Sequence, residues 1–106
     1  MSTSEQQRVA RDIVVIGTSA GGLDALRRVL STIPASIPAA FFIVQHVPET
    51  STSMLPQILA RACDLPVAHA VDGEPVTNGR VYVAPPGRHL MVRDGVVETV
   101  HGPREN

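Results

Sequence analysis

The chain has 106 residues, the size of one small domain, and a net charge of −1 with 18% charged residues. Apolar residues make up 43% and aromatics 3%, a balance that fits a folded globular chain rather than a disordered one. No basic block and few stacking side chains argue against a nucleic-acid surface.

Residues 1 to 11 are polar and are expected to form a flexible N-terminal tail, with one domain over residues 12 to 106. The start has no apolar h-region, so it is not a secretory signal, and the longest apolar run, Pro38 to Val44, is too short for membrane insertion. The single cysteine, Cys63, has no partner for an internal disulfide, which suits a cytoplasmic location.

Ile13 to Ile16 is uninterrupted and β-branched, which predicts a strand buried on both faces of a parallel sheet. After Gly17-Thr-Ser-Ala-Gly-Gly22, the spacing of Leu23, Leu26, Val29 and Leu30 predicts a helix ended by Pro34 and Pro38. Ala40 to Gln45 reads as a second strand. Met54 to Cys63 reads as a second helix with N-cap candidates in Ser51 to Ser53 and Pro56 in its first turn. Leu65 to Ala70 is a third strand and Val81 to Ala84 a fourth. His89 to Val92 and Val96 to Val100 flank Asp94-Gly95, a strong hairpin signal. The β-α-β-α-β order implies an α/β fold: a Rossmann-like parallel sheet with flanking helices and a C-terminal β-hairpin.

Gly17-Thr18-Ser19-Ala20-Gly21 fits G-x-S-x-G between a buried strand and a helix, the setting of a nucleophile elbow. Glycines there would let backbone pass closely and adopt strained angles. The free N–H groups of the next helix, near Ala20, Gly21 and Gly22, are candidate donors to an oxyanion. On the motif alone, a helix-capping Ser19 in a tight turn explains the segment equally well. Anion binding at a Gly-rich turn is a further alternative, although G-x-G-x-x-G is not met.

A serine hydroxyl needs a base, and His46 is the best candidate. It follows the second strand as Ser19 follows the first. Adjacent parallel strands bring such ends to one ligand-binding rim. Taken alone, a histidine after an apolar strand is more often structural; the pairing with Ser19 favours the catalytic reading. His69, His89 and His101 have no comparable placement. No metal-ligand spacing is present, and neither a metal nor another cofactor is expected. The order, with Ser on the first strand and His next, differs from the Ser-acid-His order of α/β-hydrolases.

Four segments in sequence, Ile16 to Gly22, Val44-Gln-His-Val-Pro48, Ala70 to Val76 and Val81 to His89, resemble the catalytic domain of CheB-type protein-glutamate methylesterases. The resemblance covers nearly all of the chain from Ile13 onward. It implies hydrolysis of glutamate methyl esters on the cytoplasmic domains of methyl-accepting chemoreceptors in chemotaxis, with glutamine deamidation by many members. Ser19 matches the family nucleophile and His46 its general base, while Arg88 and His89 match a loop that faces the site. Many members carry a receiver domain before this one, which has no counterpart here. The family's triad acid is an aspartate in a downstream Gly-rich segment, and Asp64, Asp72 and Asp94 do not match it. The chain therefore reads as an incomplete domain holding two of three triad members. It is expected to be weak or silent as an esterase, or to act as a receptor-docking adaptor, and to associate through open sheet edges.

Overall fold

The computed structural model describes residues 12–18, 20–45 and 54–101. Strand β1 (Asp12–Thr18) leads through a 3-10 turn (Ala20–Gly22) into helix α1 (Leu23–Ser31). Strand β2 (Ala39–Gln45), helix α2 (Leu55–Ala60), strand β3 (Val67–His69) and strand β4 (Val81–Val83) come next. Strands β5 (Arg88–Arg93) and β6 (Val96–His101) close the described chain as a hairpin.

The sheet is parallel throughout, with order β1-β2-β4-β3. The fourth strand in the chain thus lies between the second and third. β3 and β4 are neighbours in both sequence and sheet, and the segment that connects them runs without a helix. Central placement explains why β4 is buried at all three positions.

Period-two alternation sorts β2 onto two cores. Phe41 and Ile43 join Val81 and Val83 beneath Leu26 and Leu30 of α1 and Leu55 and Leu59 of α2. Ala40 and Phe42 face the other way, with Tyr82, Ala70, Val76 and Val97 of the hairpin. The sheet is therefore sandwiched between helices and a hairpin.

Tyr82 anchors that second core. Its ring stacks on Phe42 with centroids 4.8 Å apart. Its hydroxyl donates to the Pro75 carbonyl at 3.2 Å and accepts from the Thr77 N–H at 2.9 Å. The β3–β4 connection is also tied to the hairpin. The Gly73 N–H donates to the Val97 carbonyl, the Val76 N–H to that of Gly95, and the Thr99 N–H to Asp72 Oδ1 at 2.8 Å.

Asp94 and Gly95 both take positive φ, 53° and 78°. This is the pair of left-handed residues that a two-residue hairpin with the sheet's twist requires.

Several elements differ from expectation. β1 is an edge strand rather than one buried on both faces: Ile13 is 42% exposed and Val15 65%, because β2 covers only one side. β3 contracts to Val67–His69, although Leu65 and Ala70 remain buried. α2 stops at Ala60, and its N-cap is Met54, without a side-chain cap. Pro56 does fall in its first turn, where a missing N–H costs no intrahelical bond. α1 buries Leu26 and Leu30 and leaves Val29 half exposed, so Val29 lies off the packed stripe. The residue 1–11 tail and Ser51 to Ser53 lie outside the described residues.

Candidate active site

The candidate site lies where β1 and β2 end. The two strands pair in parallel over their whole length, from Asp12↔Ala39 to Thr18↔Gln45. Parallel neighbours are separated by about 4.8 Å, so the carboxyl ends of these strands share one rim. The next residues in the chain are Ser19 and His46. Both lie outside the described residues, and so do their side chains and any contact between them.

Immediately beyond Ser19, Ala20–Gly22 makes one 3-10 turn, and Gly22 becomes the N-cap of α1, with φ −94° and no side-chain cap. The cap position is thus held by Gly22 and not by Ser19. α1 follows the end of β1 after this one turn, and the first N–H groups of a helix have no intrahelical acceptor. The strand–turn–helix setting of an elbow is present in the backbone.

The glycines serve different needs. A Cβ on Gly22 would come within 2.5 Å of Thr18 Oγ1, so the turn folds directly against the end of β1. A Cβ on Gly17 would meet nothing within 4 Å. Neither Gly17, Gly21 nor Gly22 is among the left-handed residues. Close approach therefore holds at Gly22 and not at Gly17.

Histidines elsewhere are placed less favourably. His69 ends β3, which β4 separates from β2, about two strand spacings, or ~10 Å, from the end of β2. His89 pairs with Val100 in the hairpin and is exposed. It alternates with Leu90, which packs toward the second core, so His89 stands on the hairpin's outward face. Residues 84–87 connect the end of β4 to the start of β5, which brings Arg88 to the neighbourhood of the rim by connectivity.

Asp72 has a structural partner that sequence reasoning missed. Its Oδ1 accepts from the Thr99 N–H and fixes the 70–76 segment to β6. The signal available was Asp72-Gly73 itself, a turn pair whose glycine takes φ 90°. Among the described residues, no group of three His, Cys, Asp or Glu could hold a metal ion. No described helix is long and apolar enough to cross a membrane.

Known proteins share this outline. The CheB methylesterase family model matches residues 14–106. A protein-glutamate methylesterase/protein-glutamine glutaminase of Lawsonia intracellularis is 42% identical over 91 residues, covering 86% of this chain and 26% of that protein. The protein of the same name from Halalkalibacterium halodurans is 46% identical over 90 residues, again 26% of its length. The crystal structure of the Thermotoga maritima CheB methylesterase catalytic domain superposes with a TM-score of 0.77 at 36% identity. That match covers 90% of this chain and 52% of the solved one. The chain thus spans about a quarter of these curated relatives and about half of the solved domain.

Proposed function

This chain belongs to the CheB methylesterase family, and from that premise we propose that the rim at the ends of β1 and β2 is the nucleophile-and-base half of a serine methylesterase site. The observation that carries this reading is the register. Thr18 and Gln45 are paired on adjacent parallel strands, and the next residue on each strand is Ser19 and His46 respectively.

In this reading Ser19 Oγ attacks the carbonyl carbon of a glutamyl methyl ester while His46 takes the hydroxyl proton. The tetrahedral oxyanion is held by backbone N–H groups of the Ala20–Gly22 turn and the start of α1, which need no reorganisation as charge develops. Collapse expels methoxide, which leaves as methanol with the proton from His46. Water, deprotonated by His46, then cleaves the acyl-serine, releasing glutamate and restoring Ser19.

The substrate class is methylated glutamates on the cytoplasmic domains of chemoreceptors, which puts the reaction in the cytoplasm. Deamidation of receptor glutamines uses the same steps with ammonia as leaving group. His89, exposed on the outward hairpin face, belongs to substrate contact rather than to the oxyanion site. The third group of the triad, an acid on the histidine, has no counterpart in Asp64, Asp72 or Asp94. In a serine protease triad replacement of the acid costs about 10⁴ in kcat. Without such an acid, residues 1–106 taken by themselves would be a weak esterase and would serve chiefly as a receptor-docking surface.

A fluorophosphonate probe tests the assignment, because it reports an activated serine without needing turnover. Slow labelling at Ser19, abolished in both Ser19→Ala and His46→Ala, is the expected result. Labelling that is equal in His46→Ala would remove the base. Phosphate protection against heating without any labelling would favour an anion-binding turn instead.

A further inference from the structure

The connection from β3 to β4 contains the pair Asn78-Gly79. Asparagine is a thermolabile residue, because the backbone nitrogen of the next residue can attack its side-chain amide carbon. A following glycine has no Cβ to shield that carbon. Here the fold itself calls for the glycine. Gly79 takes φ 75°, and a Cβ on it would lie 3.2 Å from the Ala35 carbonyl oxygen.

The turn is tied on both sides of the reactive atoms. The Thr77 N–H donates to the Tyr82 hydroxyl at 2.9 Å, and the Gly79 N–H to the Ala39 carbonyl at 2.8 Å. One residue further, the Arg80 carbonyl accepts from the Phe41 N–H at 2.9 Å. Between these ties, Asn78 Oδ1 is buried and accepts no hydrogen bond among the described residues. Arg80 Nε is likewise buried without an acceptor among them, and its guanidinium lies 5.3 Å from the centre of the Tyr82 ring. The turn thus carries an unused cationic donor two residues from the amide.

We infer that Asn78 is a site of spontaneous deamidation that the approach to β4 holds shut. The Gly79 nitrogen gives up its proton to hydroxide or a buffer base and forms a bond to Asn78 Cγ. The bond from Cγ to the side-chain nitrogen breaks, and that nitrogen leaves as ammonia with a proton from water. Water then opens the cyclic imide at either carbonyl, giving aspartate or isoaspartate, and no oxidant or reductant takes part. In the closed fold the nucleophile is engaged: its N–H is committed to Ala39, and its neighbours are pinned to Tyr82 and Phe41. Ring closure therefore requires the turn to lift off β2, and its rate follows the open population. Isoaspartate carries the main chain through Cβ and lengthens it between residues 78 and 79. The bonds to Tyr82 and Ala39 then no longer fit together, and the strand that follows is an interior one, between β2 and β3. Aspartate keeps the backbone and sets a carboxylate on the turn that carries Arg80. None of this depends on the roles of Ser19 and His46.

The test incubates the 106-residue chain at mildly alkaline pH, in buffer and in guanidinium chloride above the unfolding midpoint. Chromatography and mass spectrometry of the tryptic peptide 62–80 follow aspartate and isoaspartate. Hydrogen exchange at the Gly79 amide, read on the same samples, reports whether the turn is closed. Conversion is expected to be roughly tenfold or more faster in denaturant than in buffer. Tyr82→Phe, which frees Thr77, is expected to speed conversion in buffer by roughly fivefold or more and to leave the rate in denaturant unchanged. Asn78→Gln should stop conversion in both, because its longer side chain closes the ring far more slowly. On dilution from denaturant, chains bearing isoaspartate should fail to regain Gly79 protection, whereas Asn78→Asp should regain it. No conversion in denaturant, equal rates in the two conditions, or an unprotected Gly79 amide in buffer overturns the proposal. So does a Tyr82→Phe rate in buffer equal to that of the parent chain. Isoaspartate chains that refold as completely as Asn78→Asp overturn it too, since the turn would then accept the longer backbone.

Discussion

Thr18 and Gln45 stand opposite each other as the last register pair of the β1–β2 ladder. Each is followed at once by a residue able to take part in acyl transfer. Adjacent parallel strands that end in step make a rim by construction, and α1 starts one 3-10 turn after β1 ends. The in-step ending of the two strands is a property of the sheet itself.

The Gly22–Thr18 approach predicts unequal consequences for two similar substitutions. Gly22→Ala is expected to destabilise the chain by about 1–3 kcal/mol and to reduce fluorophosphonate labelling, because its Cβ collides with Thr18 Oγ1. Gly17→Ala is expected to be tolerated, since the added methyl group meets open space. Urea denaturation beside labelling rates checks both; equal effects would show that the turn relaxes away from β1.

Tyr82 combines ring stacking with bonds to residues 75 and 77. Tyr82→Phe keeps the ring and removes the hydroxyl, leaving the Thr77 N–H and Pro75 carbonyl without that partner. A loss of about 1–3 kcal/mol is expected. Faster amide exchange at Thr77, with β1 unchanged, would locate the effect.

Asp72 separates a structural carboxylate from a catalytic one. Asp72→Ala should cost about 1–2 kcal/mol by removing the acceptor of the Thr99 N–H, whereas Asp72→Asn retains an acceptor and should cost little. Neither should alter Ser19 labelling at a denaturant concentration where both are folded. Loss of labelling in the folded Asn variant would give Asp72 a role at the rim.

The hairpin turn predicts a clean asymmetry. Gly95→Ala places a Cβ at φ 78° and is expected to lose roughly 1–2 kcal/mol, while Asp94→Asn is expected to be nearly neutral. Thermal melts of the two variants decide it.

Much of the fold is legible in the amino-acid order. The apolar runs before Gly17 and His46 announce strands, the Leu23–Leu26–Leu30 spacing announces α1, and Asp94-Gly95 announces the hairpin, because each is a local signal. Non-local features are not legible in the same way. An unbroken run such as Ile13–Ile16 signals burial on two faces, yet burial depends on a neighbour beyond β1 that the described chain does not supply. The insertion of β4 between β2 and β3 leaves no mark in hydrophobic pattern either, since pattern reports a strand and not its partner. Asp72-Gly73 marks a turn locally, but the partner of its carboxylate, Thr99, lies 27 residues away and leaves no local mark. At the rim, the residue types at positions 19 and 46 are plain from the sequence, whereas the in-step ending of their strands is a property of the ladder.

The central seat of β4 has a consequence for how the molecule is made. Among the described strands β3 pairs with β4 alone, so while residues 67–69 emerge from the ribosome they have no described strand to pair with. Only when Val81–Val83 appears can the sheet knit outward in both directions, to β2 and to β3 at once. A nascent chain stopped short of residue 81 is limited to the β1–β2 pair, and the late three-residue segment acts as the keystone of biogenesis.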